Sequence, residues 1–335
     1  MANFDDLQGA VAQFGAGNKV IYDDIGMPSI MYGVSKPKYS EVITGGTDEV
    51  LPFWLVDGEE KNTIWVSKFP NIVENERAYS LGMKLPRNYI TFDQALAACR
   101  KKGNGWHLNQ TGVFAYLNLL SQKLGTVPHG NTNYGKDYYH AYEHGIQPQG
   151  ETQRTLTGSG EPTWYHNHDT SGIADLNGNV WEWTSGLRLM NGEIQIIPYG
   201  NCMKLDCDMS AASTLWKAIM PDGTLVEPGT AGTLKINGAK ISTTVGGNMD
   251  TVFKNVTADG STAIPKLLIA LGLFPDSGAS YGNDHIWANV EGEYMPFRGS
   301  AFGHTSASGP SALLLNSPRS ISLGDVGFRS AFCEL

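Results

Sequence analysis

The sequence predicts an α+β fold in which helices and strands are segregated and joined by glycine-rich loops. Two stretches have the spacing and end signals of helices, whereas most other apolar stretches are short and rich in β-branched and aromatic residues. Forty glycines and eight tryptophans among 335 residues indicate many tight turns around an aromatic-rich core. Because helical and strand-like stretches do not alternate along the chain, a parallel βαβ arrangement is not expected.

Three regions are expected along the chain. Residues 1–45 have a mixed composition interrupted by glycine and proline, which is typical of an N-terminal extension. Residues 46–335 are expected to form one domain. Short strand-like stretches and one brief apolar helix predict a β-rich subdomain inserted into it at about 206–280.

The first strand signals of the main domain lie in residues 53–73. Phe53–Val56 and Thr63–Phe69 are rich in aromatic and β-branched residues, and Asp57-Gly58 is a typical hairpin turn. We therefore expect these two arms to form a β-hairpin.

Two helices follow. Residues 90–103 are expected to form the first helix, because Thr91 and Gln94 near its start have the spacing of a capping box. A second helix is expected from Thr111 to Leu124, because its apolar residues recur at helical spacing and Gly125 is a typical helix stop. Residues 125–170 are predicted to be a long irregular segment, a kind of connection that often carries function.

The stretch DLNGNVWEWTSG predicts a turn that leads into a strand. Asn177-Gly178-Asn179 favours positive φ, and Trp181 and Trp183 would face one side of the strand. Glu182 would then face the other side. The oxygens of Asn179 and Glu182 could hold calcium, although a turn entering a tryptophan-packed strand, with the Glu182 carboxylate satisfied by a backbone N–H, is the favoured alternative.

Charge and motifs exclude several classes of protein. The net charge is −9 and basic residues form no run, so binding to nucleic acid is not expected. No apolar stretch is long enough to span a bilayer and no cleavable apolar segment begins the sequence, so we expect neither membrane insertion nor a signal peptide. The P-loop, G-x-S-x-G and H-E-x-x-H signatures of common enzymes are also missing.

Cysteine and histidine leave two alternatives open. Cys202 and Cys207 flank a four-residue stretch and could close a small loop, although reduced, buried thiols are favoured. Histidines at 140, 144, 166 and 168 cluster in the irregular segment. Their spacing permits a metal site but defines no third ligand.

The C-terminal segment, residues 298–332, has the most unusual composition. It contains no Lys, Glu, Gln, Met or Trp, although all five occur elsewhere in the chain. A buried strand pair would explain the missing charges but not the missing Met, Trp and Gln in loops. Small residues in turn-like settings are typical of adaptable binding surfaces.

These residues resemble a known family. DLNGNVWEWT, together with Arg298-Gly299 and Gly327-Phe328-Arg329-Ser330, looks like the paired signature of the formylglycine-generating-enzyme branch of the C-type lectin fold. The enzyme of that branch uses two cysteines in its C-terminal segment to bind copper. Residues 298–329 contain no cysteine, so we expect this protein not to be an enzyme.

The closer resemblance is to the variable proteins of diversity-generating retroelements, which include phage tropism determinants. The resemblance rests on Arg298-Gly299, Leu315-Asn316, Arg319-Ser320 and the run from Val326 to Ala331. It implies a C-type lectin fold of the formylglycine-generating type with an N-terminal extension and an inserted β-rich subdomain. It also implies that adenines in the gene for this segment are mutated during reverse transcription. Mutation of the first two bases of an AAC or AAT codon cannot yield the five missing residue types.

The resemblance divides the segment into two sets of residues. The set expected to vary and to form the ligand-binding face consists of Ala301, Gly303, His304, Ala307, Leu314, Ser317, Ile321, Leu323, Gly324 and Asp325. The set expected to be a constant framework consists of Arg298, Gly299, Phe302, Gly327, Phe328, Arg329, Trp181 and Trp183.

The resemblance further implies binding to a bacterial cell-surface protein or glycan, with the domain at a phage tail-fibre tip or on a bacterial surface. No cofactor is expected unless calcium binds at Asn179 and Glu182. A homo-oligomer would offset weak single-site affinity through multivalency. An oxidase relative and a non-variable structural phage protein are the alternatives.

Overall fold

A computed structural model describes residues 5–335 of the chain. Over this range the protein has the predicted mixed α+β character, with many short strands and few helices. Its helices are α1 (Asp5–Ala12), α2 (Tyr39–Val42), α3 (Phe92–Arg100), α4 (Thr111–Leu124) and α5 (Lys266–Ala270).

The strands of the first half are β1 (Asn18–Tyr22), β2 (Pro28–Ser35), β3 (Leu55–Val56), β4 (Glu59–Glu60), β5 (Thr63–Ser67), β6 (Ile72–Glu74), β7 (Arg77–Tyr79) and β8 (Trp106–Leu108). The next strands are β9 (Trp181–Trp183), β10 (Leu187–Met190), β11 (Glu193–Ile196), β12 (Lys217–Ile219), β13 (Leu225–Val226), β14 (Lys235–Asn237), β15 (Lys240–Ser242), β16 (Met249–Val252) and β17 (Thr257–Ala258). The C-terminal strands are β18 (His285–Ala288), β19 (Glu293–Tyr294), β20 (Phe297–Arg298), β21 (Leu313–Leu315), β22 (Val326–Phe328) and β23 (Ser330–Phe332).

Three sheets contain most of these strands. The first has the order β1-β2-β5-β23-β8 and joins the N-terminal strands to the C-terminal strand β23. The second is built on the β10–β11 hairpin, and β12 to β15, β17 and β19 extend it. The third has the order β16-β18-β21-β20-β9-β22 and contains three of the four strands of the C-terminal segment.

Both long helices match their predictions. At α3, the Thr91 hydroxyl accepts a hydrogen bond from the Gln94 N–H, and the Gln94 side chain accepts one from the Thr91 N–H, so the capping box is formed. Helix α4 spans the predicted residues and ends at Gly125, whose φ of 69° is the left-handed conformation that stops a helix.

The predicted hairpin at 53–73 is only partly confirmed. Asp57 and Gly58 do make a turn, with φ values of 50° and 84°, but it joins β3 to the short strand β4. The arms predicted to pair with each other are separated. Strand β5 instead lies between β2 and β23, which pair with its backbone N–H and C=O groups on both edges.

All four cysteines are buried and free, so Cys202 and Cys207 do not pair. No helix within residues 5–335 is both long and apolar enough to cross a bilayer.

Candidate functional site

Two buried arginines hold the ends of the C-terminal segment. At its start, the guanidinium of Arg298 donates to the carbonyl oxygens of Leu271 and Gly272, which follow helix α5. Arg298 is 1% exposed, and burial lowers the pKa of its guanidinium to about 9. These contacts tie the first residue of the segment to a separate element of the fold.

At the other end, Arg329 forms a buried ion pair with Glu182 of β9. Two guanidinium nitrogens donate to the two carboxylate oxygens over 2.6 and 2.7 Å, and both side chains are at most 1% exposed. Arg329 also donates to the carbonyl oxygens of Ser67, Ala174 and Asp175. Burial raises the pKa of Glu182, and the guanidinium acts in the opposite direction. Such bidentate pairing restricts the geometry of both side chains.

Two glycines of the framework are required by backbone geometry. Gly299 has a φ of 84°, and a Cβ there would lie 2.6 Å from the Leu176 carbonyl oxygen. A Cβ on Gly327 would lie 2.4 Å from the carbonyl oxygen of Arg87. Any other residue would push the segment away from its neighbours.

Burial separates the two sets of residues predicted from the sequence. The buried set contains every predicted framework residue: Arg298, Gly299, Phe302, Gly327, Phe328, Arg329, Trp181 and Trp183. Nine of the ten residues predicted to vary are partly or fully exposed: Gly303, His304, Ala307, Leu314, Ser317, Ile321, Leu323, Gly324 and Asp325. We call these nine residues the C-terminal face.

Ala301 is the exception, and its assignment to the binding face is wrong. Its side chain is 0% exposed and belongs to the apolar cluster that also contains Trp181 and Phe297. It follows Ser300, whose φ of 64° turns the chain at this point. A ligand cannot reach Ala301 in this conformation.

The centre of the C-terminal face is built on two tryptophans. The ring of His304 packs edge-on against Trp181, with 4.9 Å between ring centroids, and lies 6.0 Å from Trp287. The Trp181 indole N–H donates to His304 Nε2 over 3.4 Å, and its backbone N–H donates to the Asp325 carbonyl oxygen. Burial lowers the pKa of His304, while the nearby Asp325 carboxylate raises it. His304 and Asp325 are therefore neighbours despite their separation in sequence.

Strand β21 places Leu314 on the same surface. Leu314 is paired in register with Trp287 on β18 and with Phe297 on β20. Ile321 packs against the apolar cluster to which Leu314 also packs. Ser317 lies two residues beyond β21, where its carbonyl oxygen accepts a hydrogen bond from Met295. Strand pairing thus places Leu314 beside Trp287, although the two residues are far apart in the sequence.

Two exposed tyrosines border the face and were missed by the sequence analysis. Tyr134 donates its backbone N–H to the carbonyl of Phe302, and its hydroxyl lies 3.1 Å from the site of a Cβ on Gly303. The hydroxyl of Tyr89 is similarly 2.8 Å from a Cβ on Gly324. The φ values of the tyrosines, 49° for Tyr89 and 50° for Tyr134, are unusual for bulky residues and often mark functional sites. For Tyr134, the only indication in the sequence was its position in the long irregular segment 125–170, a kind of segment that often carries function.

The predicted calcium ligands do not fit a calcium site. Both carboxylate oxygens of Glu182 accept hydrogen bonds from the Arg329 guanidinium, whose positive charge would repel a cation. The side-chain oxygen of Asn179 accepts from the Thr155 N–H and from the Asn131 amide. The alternative interpretation expected a backbone N–H to satisfy the Glu182 carboxylate; the donor is instead the guanidinium of Arg329.

The four clustered histidines do not come together either. His166 Nδ1 accepts from the Ile173 N–H, while His168 Nε2 contacts the Val127 carbonyl oxygen. His144 is exposed, and His140 instead stacks on His129. Within residues 5–335, no group of three or more His, Cys, Asp or Glu side chains has a metal-binding arrangement.

Comparisons with known proteins found similar solved structures but no matching family model or curated sequence. Treponema denticola variable protein 1 aligns over 96% of this chain and all of its own, with 10% identity and a TM-score of 0.37. PvdO from Pseudomonas aeruginosa covers the same shares, with 12% identity and a TM-score of 0.40. The Major Tropism Determinant I1 variant aligns over 81% of this chain and 50% of its own, with 11% identity and a TM-score of 0.32.

Variable proteins and tropism determinants, the class that the C-terminal segment resembles in sequence, are thus among the structural neighbours. TM-scores below 0.5 do not equate individual residues between two chains. The functional proposal therefore rests on the geometry of this chain's own C-terminal segment.

Proposed function

We propose that this protein binds a ligand on a bacterial cell surface through the C-terminal face, and that the residues of this face are diversified. One observation carries the proposal: exposure follows the division between predicted variable and framework residues, with Ala301 as the exception. Substitutions at exposed positions usually change stability by less than about 0.5 kcal/mol. The face can therefore change chemically while the fold remains the same.

The framework makes the face suitable for binding. The anchors at Arg298 and Arg329 restrict the backbone at both ends of the segment before any ligand arrives. A rigid surface loses little conformational entropy on binding, whichever side chains it displays. The partly exposed Trp287 and the tyrosines at the border supply contact area that is common in binding surfaces.

The wider setting is part of the same proposal. We assign the domain to the C-type lectin fold of the formylglycine-generating type, with an N-terminal extension at 1–45 and an insertion at about 206–280. A phage tail-fibre tip or a bacterial surface is its proposed location, and the name of the tropism-determinant neighbours agrees with a role in host recognition. Display in a homo-oligomer would raise avidity. Binding would not need calcium at Asn179 and Glu182, because protein donors occupy their oxygens.

The proposal is tested by displaying two libraries of the protein on bacteria or phage. The first randomises His304, Leu314, Leu323, Gly324 and Asp325; the second randomises Gly299, Phe302, Gly327, Phe328 and Arg329. We expect the first library to remain folded and to yield binders to bacterial surface fractions, whereas most of the second fails to fold. Equal losses of folding in both libraries would contradict the proposal.

Sequencing of the gene across a natural population gives an independent test. Substitutions confined to adenine-derived codons of the C-terminal face, with Arg298, Gly299 and 327–329 constant, are expected. Sparse and even variation across the segment would instead favour a structural phage protein.

A further inference from the structure

A cavity of about 410 Å³ lies next to the C-terminal face. Its walls come from the irregular segment after α4, from the residues before β18 and from the loop before β21. The side chains that matter for its chemistry are His129, Tyr139, His140, Lys254, Asn283 and Asp284. A volume of this size is within the range of small-ligand sites.

The cavity is joined to the C-terminal segment by hydrogen bonds. The Tyr139 hydroxyl donates to the Ser306 carbonyl oxygen over 3.0 Å, and the Asn283 amide donates to the Tyr139 hydroxyl over 3.1 Å. Ser306 adjoins Ala307 of the C-terminal face. A ligand in the cavity would therefore lie beside residues that are proposed to vary.

Two histidines in the cavity wall are stacked and fixed in orientation. The rings of His129 and His140 are 3.8 Å apart between centroids and within 7° of parallel. Nδ1 of His129 lies 2.9 Å from the Glu143 carboxylate, and Nδ1 of His140 lies 3.0 Å from the Asp137 carboxylate. The side chains of Glu143 and Asp137 are each only 5% exposed.

The two carboxylates are themselves held by further donors. Glu143 also accepts from the Thr163 hydroxyl and the Trp164 indole N–H. Burial alone would raise the pKa of Glu143, but these bonds and the one from His129 lower it below its ordinary value. Asp137 likewise accepts backbone N–H groups, including that of Tyr139. An ionised carboxylate only accepts, so each Nδ1 carries the proton.

This tautomer leaves Nε2 of each ring as a hydrogen-bond acceptor. Among the described residues, neither His129 Nε2 nor His140 Nε2 has a hydrogen-bond partner. Both rings are partly exposed, at 23% and 38% of the side chain. The stacked pair therefore offers two acceptors of fixed direction, while Lys254 and Asn283 supply donors nearby.

We propose that this cavity binds a neutral saccharide unit. Sugar hydroxyls can donate to the two Nε2 acceptors and also accept from amide and ammonium donors, whereas an ionised carboxylate or sulfate group has no hydrogen to donate to Nε2. The Tyr139 ring adds a flat surface for the apolar face of a sugar. The inference rests on the proposed function and names its ligand class. The cavity, which contains none of the residues proposed to vary, would bind one sugar unit of a glycan, and the C-terminal face would contact the neighbouring units and select among them.

The test measures binding of single sugars to the full chain by titration calorimetry or ligand-observed NMR. The neutral probes are methyl glucoside, methyl galactoside, methyl mannoside and N-acetylglucosamine; the anionic probes are acetate and inorganic sulfate, which carry no hydroxyl group. We expect at least one neutral probe to bind with a Kd on the order of 1 mM. His140→Ala should weaken it by about fivefold to tenfold, because one oriented acceptor is lost.

His144→Ala is the matched control, because His144 is an exposed histidine of the same segment that does not line the cavity. It should leave sugar affinity unchanged. Lys254→Ala changes an exposed residue and should fold. It should weaken neutral-sugar binding less than His140→Ala does, because Asn283 still donates, whereas it should abolish any binding that depends on attraction of an anion by the ammonium group.

Three results would overturn the inference: no neutral probe binds, His140→Ala leaves the affinity unchanged in a folded protein, or only anionic probes bind and Lys254→Ala removes them. The proposed function can fail separately. If sugars bind but the library at the C-terminal face yields no binders, the saccharide site is supported and the proposed diversified binding face is contradicted. If the library yields binders and no neutral probe binds, the reverse holds.

Discussion

Replacing Arg329 with methionine tests whether the framework depends on a buried ion pair. Methionine keeps most of the apolar length of the arginine side chain but removes all of its hydrogen-bond donors. Glu182 then loses both of its hydrogen bonds, and the carbonyl oxygens of Ala174 and Asp175 lose one each. We expect the carboxyl group of Glu182 to become protonated in the folded variant, because a buried and unpaired carboxylate is very costly.

The energy of that protonation can be estimated. One pKa unit corresponds to about 1.36 kcal/mol, and an ordinary glutamate pKa of 4.5 lies 2.5 units below pH 7. Keeping Glu182 neutral at pH 7 therefore costs about 3.4 kcal/mol, and the carbonyls that lose a donor add about 1 to 3 kcal/mol. The total is a large part of a typical unfolding free energy of about 5 to 15 kcal/mol.

The same reasoning predicts a dependence on pH. The unfolded chain ionises Glu182 above pH 4.5 and the folded variant does not, so the variant loses stability as the pH rises. At pH 5 the protonation cost falls to about 0.7 kcal/mol. The difference in unfolding free energy between wild type and Arg329→Met should thus be smaller at pH 5 than at pH 7, by at most about 2.7 kcal/mol, because burial raises the pKa of Glu182 in the wild type as well.

Urea unfolding followed by tryptophan fluorescence at the two pH values measures this difference. Lys36→Met is the control, since it removes the cation from an exposed pair with Glu60. Exposed pairs contribute only about 0 to 1 kcal/mol. A loss below about 1 kcal/mol at pH 7 for Arg329→Met, or an equal loss at both pH values, would refute the reasoning.

Three further outcomes are expected. Leu323→Asn on the exposed face should change the unfolding free energy by less than about 0.5 kcal/mol, whereas Ala301→Asn should cost more than about 2 kcal/mol because its amide would be buried among apolar side chains; equal effects in urea unfolding would contradict the burial of Ala301. Burial raises the pKa of Asp284 to about 7, so the folded state holds a proton that the unfolded state releases. The wild type should therefore lose stability as the pH rises from 5 to 7.5, whereas Asp284→Asn, which carries no titratable group there, should not. A difference in unfolding free energy that stays constant over this pH range would contradict the raised pKa of Asp284. Burial also raises the pKa of the Cys202 thiol to about 12 and that of the Cys207 thiol above its ordinary value. Both thiols should react with Ellman's reagent only after unfolding, and rapid reaction of the native protein would contradict their burial.

Local signals were enough to predict several elements of the fold. The capping box at Thr91, the stop at Gly125 and the positive φ at Gly178 and Asn179 depend on residues close in sequence, so the sequence determined them. Composition was enough to distinguish the C-terminal segment. The division of that segment into residues expected to vary and a framework came from its resemblance to variable proteins; nine of the ten residues expected to vary are partly or fully exposed, and Ala301 is buried.

Tertiary structure decided the rest, because contacts between distant residues follow from strand pairing and burial. Strand β5 has the same sequence whether it pairs with a neighbouring arm or with β2 and β23. Ala301 resembles the exposed small residues around it, and only the position of Trp181 and Phe297 makes it buried. The pairing of Glu182 with Arg329 joins two separate segments, and the stacking of His129 on His140 joins two residues of one irregular segment that are eleven positions apart. No local pattern predicts such contacts; the fold creates them by bringing the donors and acceptors of different loops to the same place.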